Sequence, residues 1–202
     1  RGKNSSACPI LETPRKTDPR ILDFDIETIA AGFADPDWVP QKITCVAWSW
    51  IGEEEVHSRI STVAGLFGKP ARRAKMLKPL LEAIEEADML TGHNILRFDL
   101  PVLNSECLRL GFAPLTSKLT QDTIRLSKTK GFKKGQDNLG LLLRVPEEKI
   151  SLSWQAWQDA YDEPYWPKIR ERCVSDVAQH KVIRQEMLEK QWLRTPLMWR
   201  PK

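Results

Sequence analysis

The sequence predicts an α/β protein: a mixed sheet of five strands flanked by helices. Three observations lead there. Apolar residues alternate with polar ones in an early meander; the period then changes to three and four; and short apolar segments alternate with helical ones up to a long helix near the C-terminus.

Residues 1–19 are polar, hold three prolines and show no periodicity, which reads as an N-terminal arm. Residues 20–28 are the first strand, and 29–40 the loop after it. Ile43–Ile51 is a second strand, apolar enough to be buried on both faces. Gly52-Glu53-Glu54 turns the chain into Val56–Ile60, a third, antiparallel strand closing a hairpin. Between residues 70 and 87, Met76, Leu77, Leu80, Leu81 and Ile84 recur at helical spacing, and Pro79 inside the run predicts a kink or break. Ala87–Leu90 is the fourth strand. A helix from Phe98 to Leu110, closed by Gly111, follows, and Leu119–Thr123 is the fifth strand. Asp137 caps a short helix to Leu143, and Pro167 opens a long one to Glu189. The chain thus divides into an arm (1–19), one domain (20–190) and a proline-broken tail (191–202).

At 202 residues with 41% apolar composition, the chain has material for one sizeable core. No apolar run approaches the roughly 18 residues that cross a bilayer, so no membrane partner is expected. The polar N-terminus does not read as a signal peptide. Cys8, Cys45, Cys107 and Cys173, with His57, His93 and His180, match no zinc spacing. They read as free thiols of a cytoplasmic protein. The net charge of +4 hints at a polyanionic partner.

Asp23-Phe24-Asp25-Ile26-Glu27-Thr28 is the centre of the sequence. Side chains of a strand alternate faces, so Asp23, Asp25 and Glu27 share one face and Leu22, Phe24 and Ile26 the other. Three like charges on one face call for a cation, and a hard divalent metal suits carboxylates; a solvated edge strand is the alternative. A second acid, Asp99, follows Gly92-His93-Asn94 at the end of a predicted parallel strand, where open α/β sheets gather their sites. As a helix-start residue it also fits a structural cap. A third, Asp176, lies beside the apolar stripe Ile169, Cys173 and Val177. A buried Asp needs a partner, and the candidates are a metal, Arg172 four residues before or His180 four residues after.

Asp25-Ile26-Glu27-Thr28, Gly92-His93-Asn94 with Phe98-Asp99-Leu100-Pro101, and Asp176-Val177 resemble the three motifs of the DEDD superfamily of 3′–5′ exonucleases. That superfamily includes the DnaQ-like proofreading exonucleases with a ribonuclease H-like fold. The likeness runs from about residue 20 to 190. It implies that Asp25, Glu27, Asp99 and Asp176 hold two Mg²⁺ or Mn²⁺ ions and hydrolyse phosphodiester bonds at the 3′ end of single-stranded or frayed DNA. Asp23 falls outside the quartet. Thr28, Asn94 and Phe98 would contact the strand end. Tyrosine-type members of the superfamily carry a Tyr four residues before the last Asp, and others a His five before it. This chain has Arg172 and Glu171 there. The departure leaves three alternatives: His180 as the proton acceptor, a weak or inactive relative that serves as a nucleic-acid- or polymerase-binding module, and an exoribonuclease acting on RNA.

Arg125, Lys128, Lys130, Lys133 and Lys134 form a basic run after the fifth strand. It reads as phosphate contact, with Lys130, Lys133 and Lys134 the leading residues and Arg172 a further phosphate ligand, or as a solvated loop. Lys69, Arg72, Arg73, Lys75 and Lys78 form a second cluster. Trp154, Trp157, Tyr161, Tyr165 and Trp166 either stack bases or, more in keeping with a globular core, pack on the last helix.

Overall fold

The computed structural model describes residues 18–29, 42–61, 70–126, 131–146, 149–153, 155–156, 159 and 166–201. The expected arm up to residue 17, most of the 29–40 loop, Lys69, Lys128, Lys130, Trp154, Trp157, Tyr161 and Tyr165 lie outside the described residues.

All five expected strands form, within about two residues of their predicted bounds. They are β1 (Ile21–Ile29), β2 (Lys42–Trp50), β3 (His57–Ile60), β4 (Met89–Gly92) and β5 (Lys118–Asp122). A sixth, β6 (Leu197–Trp199), was not expected. The four residues between Pro196 and Pro201 are too few to show a period, so the segment read as a tail. Its partner strand specifies it: Leu197 pairs with Thr120 and Trp199 with Lys118. The order is β3-β2-β1-β4-β5-β6. β1 runs parallel to β4, and β4 to β5; the β1–β2, β2–β3 and β5–β6 pairs are antiparallel. The sheet is therefore mixed and open, consistent with a ribonuclease H-like α/β fold.

Helix α1 (Pro70–Glu86) buries Met76, Leu77, Leu80, Ala83 and Ile84 and runs through Pro79 without ending. With α2 (Asp99–Leu110) it covers one face of the sheet, where Leu22, Phe24, Ile26, Val46 and Trp48 meet Leu77, Leu80, Ile84, Leu100 and Leu103. Each such side chain contributes about 1.5–3 kcal/mol on full burial. Gly111 closes α2 at φ 75°, as its sequence position suggested.

The other face is covered by α4 (Pro167–Glu189), whose Ile169, Cys173 and Val177 pack on Cys45 and Ala47 of β2 together with the buried Trp166. Trp166 is thus a core residue. β2 is buried along its length, as expected. Helix α3 (Gln136–Leu143) has Gly135 as its N-cap, two residues before the Asp137 cap that the sequence suggested; Asp137 lies in its first turn. Arg73 and Arg109 flank the buried Glu106 at 3.3 and 2.6 Å, so part of the second basic cluster ties α1 to α2.

Candidate metal centre

β1 alternates as its sequence requires. Leu22, Phe24 and Ile26 face α1 and α2, while Asp23, Asp25 and Glu27 face α4 through His180, Cys173 and Arg172. Asp176 comes from the middle of α4. Carboxylate oxygens of Asp25, Glu27 and Asp176 lie within 4.8 Å of one another. Three of the four expected ligands are thereby brought together from two elements. Asp99 opens α2 beside them, 2% exposed, and its Oδ1 accepts the Ile26 backbone N–H at 3.0 Å. It lies outside the 4.8 Å group, yet close enough for its charge to raise Asp25.

The electrostatics follow from burial and crowding. Burial is the largest cause at every one of these carboxyls. It pushes Asp25 well above the usual carboxylate range, reinforced by Glu27, Asp99 and Asp176. Glu27 is pushed up to about 7 against the opposing pull of Arg172, and Asp99 to about 8. Asp176 is raised too, opposed chiefly by Lys149. Asp176 Oδ1 is buried with no hydrogen-bond partner. An orphaned carboxylate oxygen among hard oxygen donors fits a divalent cation such as Mg²⁺ or Mn²⁺.

Two cations already attend the cluster. Arg172 donates from Nε to Glu27 Oε1 at 2.8 Å and from Nη1 to the Ile150 carbonyl at 2.8 Å, and its Nη2 lies 3.9 Å from Asp176 Oδ2. The i−4 relation to Asp176 is as expected, but the shorter contact is to Glu27. Lys149 Nζ sits 2.8 Å from Asp176 Oδ2. Sequence reasoning missed Lys149, since one lysine in a charged loop carries no signal of where its side chain goes.

His180 is not on the rim. It is 2% exposed, with Nδ1 2.6 Å from Asp23 Oδ2 and Nε2 2.9 Å from Thr123 Oγ1. Both ring nitrogens are engaged in the interior, away from the position an attacking water would need. The reason is helical: two turns separate His180 from Arg172, which carries it to the deep end of the β1 face. Thr123 Oγ1 also lies 2.9 Å from His93 Nδ1, so a buried chain runs from Asp23 through His180 and Thr123 to His93. Burial, with His180 nearby, drops His93 to about 3 and keeps it neutral. Asp23, outside the quartet, is held by His180 through Oδ2, while its Oδ1 is buried without a hydrogen-bond partner.

The Gly92-His93-Asn94 turn has local reasons. A Cβ on Gly92 would lie 2.9 Å from the Phe24 carbonyl oxygen and 2.4 Å from Ile95 Cγ2, so only glycine lets β4 end so close to β1. Asn94 adopts φ 64°, a region that Asn tolerates. Its N–H donates to Asp122 Oδ1 at 2.7 Å, and that of Leu96 to Oδ2 at 3.1 Å. Among the other expected strand contacts, Thr28 is buried beside a register shift in β1, Phe98 packs partly on the core, Lys133 is exposed and Lys134 half-buried.

No protein-family model and no curated protein matches the chain. Solved structures do. The chain is similar to part of a family B DNA polymerase. That enzyme, from the hyperthermophilic archaeon Pyrobaculum calidifontis, aligns with a TM-score of 0.60 at 17% identity, over 85% of this chain and 25% of the polymerase chain. At that identity the likeness shows the fold, and the chain spans about a quarter of the polymerase's length. No helix among the described residues is long and apolar enough to cross a membrane.

Proposed function

We propose that the protein is a divalent-metal-dependent 3′–5′ exonuclease that hydrolyses phosphodiester bonds at single-stranded or frayed DNA ends. The observation behind this reading is the convergence of Asp25, Glu27 and Asp176 within 4.8 Å, with one buried Asp176 oxygen lacking a partner. The motif resemblance and the likeness to a stretch of a DNA polymerase support it.

Asp25, Glu27 and Asp176, with Asp99 beside them, would hold Mg²⁺ or Mn²⁺, two ions in the working complex. Such ions supply a nucleophilic hydroxide near neutral pH and stabilise the leaving oxygen. The protein's own part is to position. Asp99 is pinned by the Ile26 N–H, which fixes α2 against β1 at the acids. Lys149 and Arg172 present N–H donors at the Asp176 and Glu27 carboxylates, where they can hold a phosphate oxygen once a strand enters. Neither takes a proton from water while charged, so the carboxylates carry any proton removed. Thr28, Asn94, Phe98 and the Lys130, Lys133 and Lys134 run are the proposed strand contacts, and a DNA polymerase is a proposed partner.

The Arg172–Glu27 pair favours a second reading, in which the arginine fills the ligand set and the protein binds strands without cutting them. A 5′-labelled oligonucleotide, as DNA and as RNA, incubated with Mg²⁺, Mn²⁺ or EDTA tests both. A ladder of shortened products in metal alone, lost in Asp25→Asn, supports the exonuclease. A band that shifts and never shortens supports the binding module. Shortening of RNA alone makes it an exoribonuclease.

A further inference from the structure

Two cavities share a wall beyond the acid cluster. The first, about 550 Å³, is lined by Arg97, Arg125, Lys134 and Arg194 around Asp122. These four cations come from separate segments: the turn before α2, the end of β5, the approach to α3 and the approach to β6. Salt bridges among the described residues involve none of the four. Asp122 cannot satisfy them, because its oxygens accept the backbone N–H groups of Asn94, Leu96 and Ile124. Arg97, Arg125 and Arg194 are exposed and Lys134 is half-buried, and four cations around one concavity with a single, committed acid give it a positive potential that attracts an anion.

The second cavity, about 220 Å³, is apolar, with Phe132, Leu142, Met187 and Trp192 among its lining, and meets the first at Leu126. Leu126 is bridged to Leu193, so the common wall is held by backbone pairing. Trp192 is 44% exposed and Leu142 59%, large apolar surfaces left at the rim. A cationic concavity beside an apolar, aromatic-walled one is the combination that unpaired nucleotides require: charge for the phosphates, a stacking surface for the base.

We propose that the paired cavities bind a single-stranded nucleic acid, two or three nucleotides to the 5′ side of the acid cluster: phosphates against Arg97, Arg125, Lys134 and Arg194, and one unpaired base against Phe132 and Trp192. The position follows from topology. Asp25 and Glu27 lie toward the C-terminal end of β1, and Asp122 ends β5; both strands are parallel to β4, which lies between them. Neighbouring strands are about 4.8 Å apart, so the two sites are roughly 10 Å apart along that edge, near three stacked nucleotides at about 3.4 Å each. A duplex cannot present a base to the apolar cavity, so the site selects unpaired strands. It deepens the exonuclease reading without needing catalysis to be observed.

The test is fluorescence anisotropy of oligothymidylates in EDTA, from dinucleotide to octanucleotide, on Asp25→Asn protein so that no strand is cut. Affinity should rise with length. Arg97→Ala, Arg125→Ala and Arg194→Ala combined should remove that rise and flatten the salt slope by about 2, at roughly 0.7 per phosphate contact. Phe132→Ala with Trp192→Ala should lose on the order of 5- to 150-fold and keep the slope, as stacking losses do. Length dependence and slope unchanged in both variants would overturn the proposal and leave the apolar cavity to a protein partner. A duplex bound as tightly as the single strand, or thymidine monophosphate bound as tightly as the octamer, would overturn it as well. Protein without the Asp25→Asn change that shortens strands in Mg²⁺, together with variants that bind normally, would refute this site alone. Strand binding as described with no shortening in any metal would refute the exonuclease reading alone.

Discussion

Arg172 decides between the two readings of the site, and removing it has a calculable effect. In Arg172→Ala, Glu27 loses its 2.8 Å partner and the Ile150 carbonyl loses a donor. Breaking a buried ion pair from one side costs about 3–5 kcal/mol, but Glu27 has an escape. With burial holding it near 7, it is mostly protonated at pH 6 and mostly ionised at pH 8. Arg172 is one of the influences lowering Glu27, so its removal raises Glu27 further. The cost without metal should then be about 1–2 kcal/mol at pH 6, where little more than a hydrogen bond is lost. Above pH 7 it should grow by about 1.4 kcal/mol per unit until the variant's Glu27 ionises.

Divalent ions should respond in the opposite sense. An ion among carboxylate oxygens that lie within 4.8 Å of one another comes within about 5 Å of the guanidinium. Even at water's dielectric constant of about 80, that repulsion is about 1.7 kcal/mol, so its removal should tighten Mn²⁺ binding roughly 15-fold. Urea melts in EDTA at pH 6 and 8 and calorimetric Mn²⁺ titration read the two effects. Equal destabilisation at both pH values would refute the Glu27 pairing. Weaker Mn²⁺ binding in the variant would show that the arginine supports the ion and does not compete with it.

Without metal, the wild-type protein should lose stability as pH rises from about 4 to 8. Asp25, Glu27, Asp99 and Asp176 are all raised on folding, so the folded state holds more protons across that window and stability falls with pH; a flat melting profile in EDTA would contradict this. Asp25→Asn should abolish cleavage and Mn²⁺ binding while matching or exceeding wild-type stability in EDTA at pH 8, because it relieves repulsion; cutting at the normal rate would refute the ligand assignment. Gly92→Ala should destabilise by roughly 2–4 kcal/mol, an overpacking cost at the upper end because backbone lies 2.9 Å from the added Cβ; a change under ~0.5 kcal/mol in a denaturant melt would contradict the close approach. His180→Ala should cost about 3–5 kcal/mol by stranding buried Asp23, whereas Lys149→Ala should lower the cleavage rate and destabilise less, because Asp176, already raised by burial, rises further and takes up a proton; the reverse pattern would give the catalytic role to His180.

Period was legible and direction was not. The alternation in Ile21–Ile29 and the helical spacing in Pro70–Glu86 and Pro167–Glu189 depend on the chain alone, and those elements form where expected. The acids on β1 and α4 were legible for the same reason. Long side chains were not. Arg172 could equally have faced Asp176 along its own helix, and only the β1–α4 packing turns it to Glu27. Lys149 reaches Asp176 from a loop with no period. His180 read as a candidate partner of Asp176 or a proton acceptor because its buried partners, Asp23 and Thr123, lie 157 and 57 residues away in sequence. The cationic cavity was half legible: Arg125 and Lys134 belong to the contiguous basic run, whereas Arg97 and Arg194 join them only through the fold.

The site's charge arrangement follows from a match between two periods. Two residues along a strand advance about 6.6–6.8 Å, and four along a helix about 6.0 Å. α4 lies antiparallel to β1, so its residues meet the acid face in reverse order: His180 at Asp23, Asp176 at Asp25, Arg172 at Glu27. The outer rungs set a basic side chain against a carboxylate. The middle rung sets carboxylate against carboxylate, and there burial raises both groups, with Asp176 adding to the rise of Asp25; one oxygen each of Asp176 and of Asp23 goes without a hydrogen-bond partner. Lys149 reaches only the outer oxygen of Asp176. The middle rung is thus where a cation from outside the chain could be held, and a shift of β1 by one residue would turn all three acids into the apolar layer beneath α1 and α2. The paired outer rungs hold the register that sets the two middle carboxylates against each other.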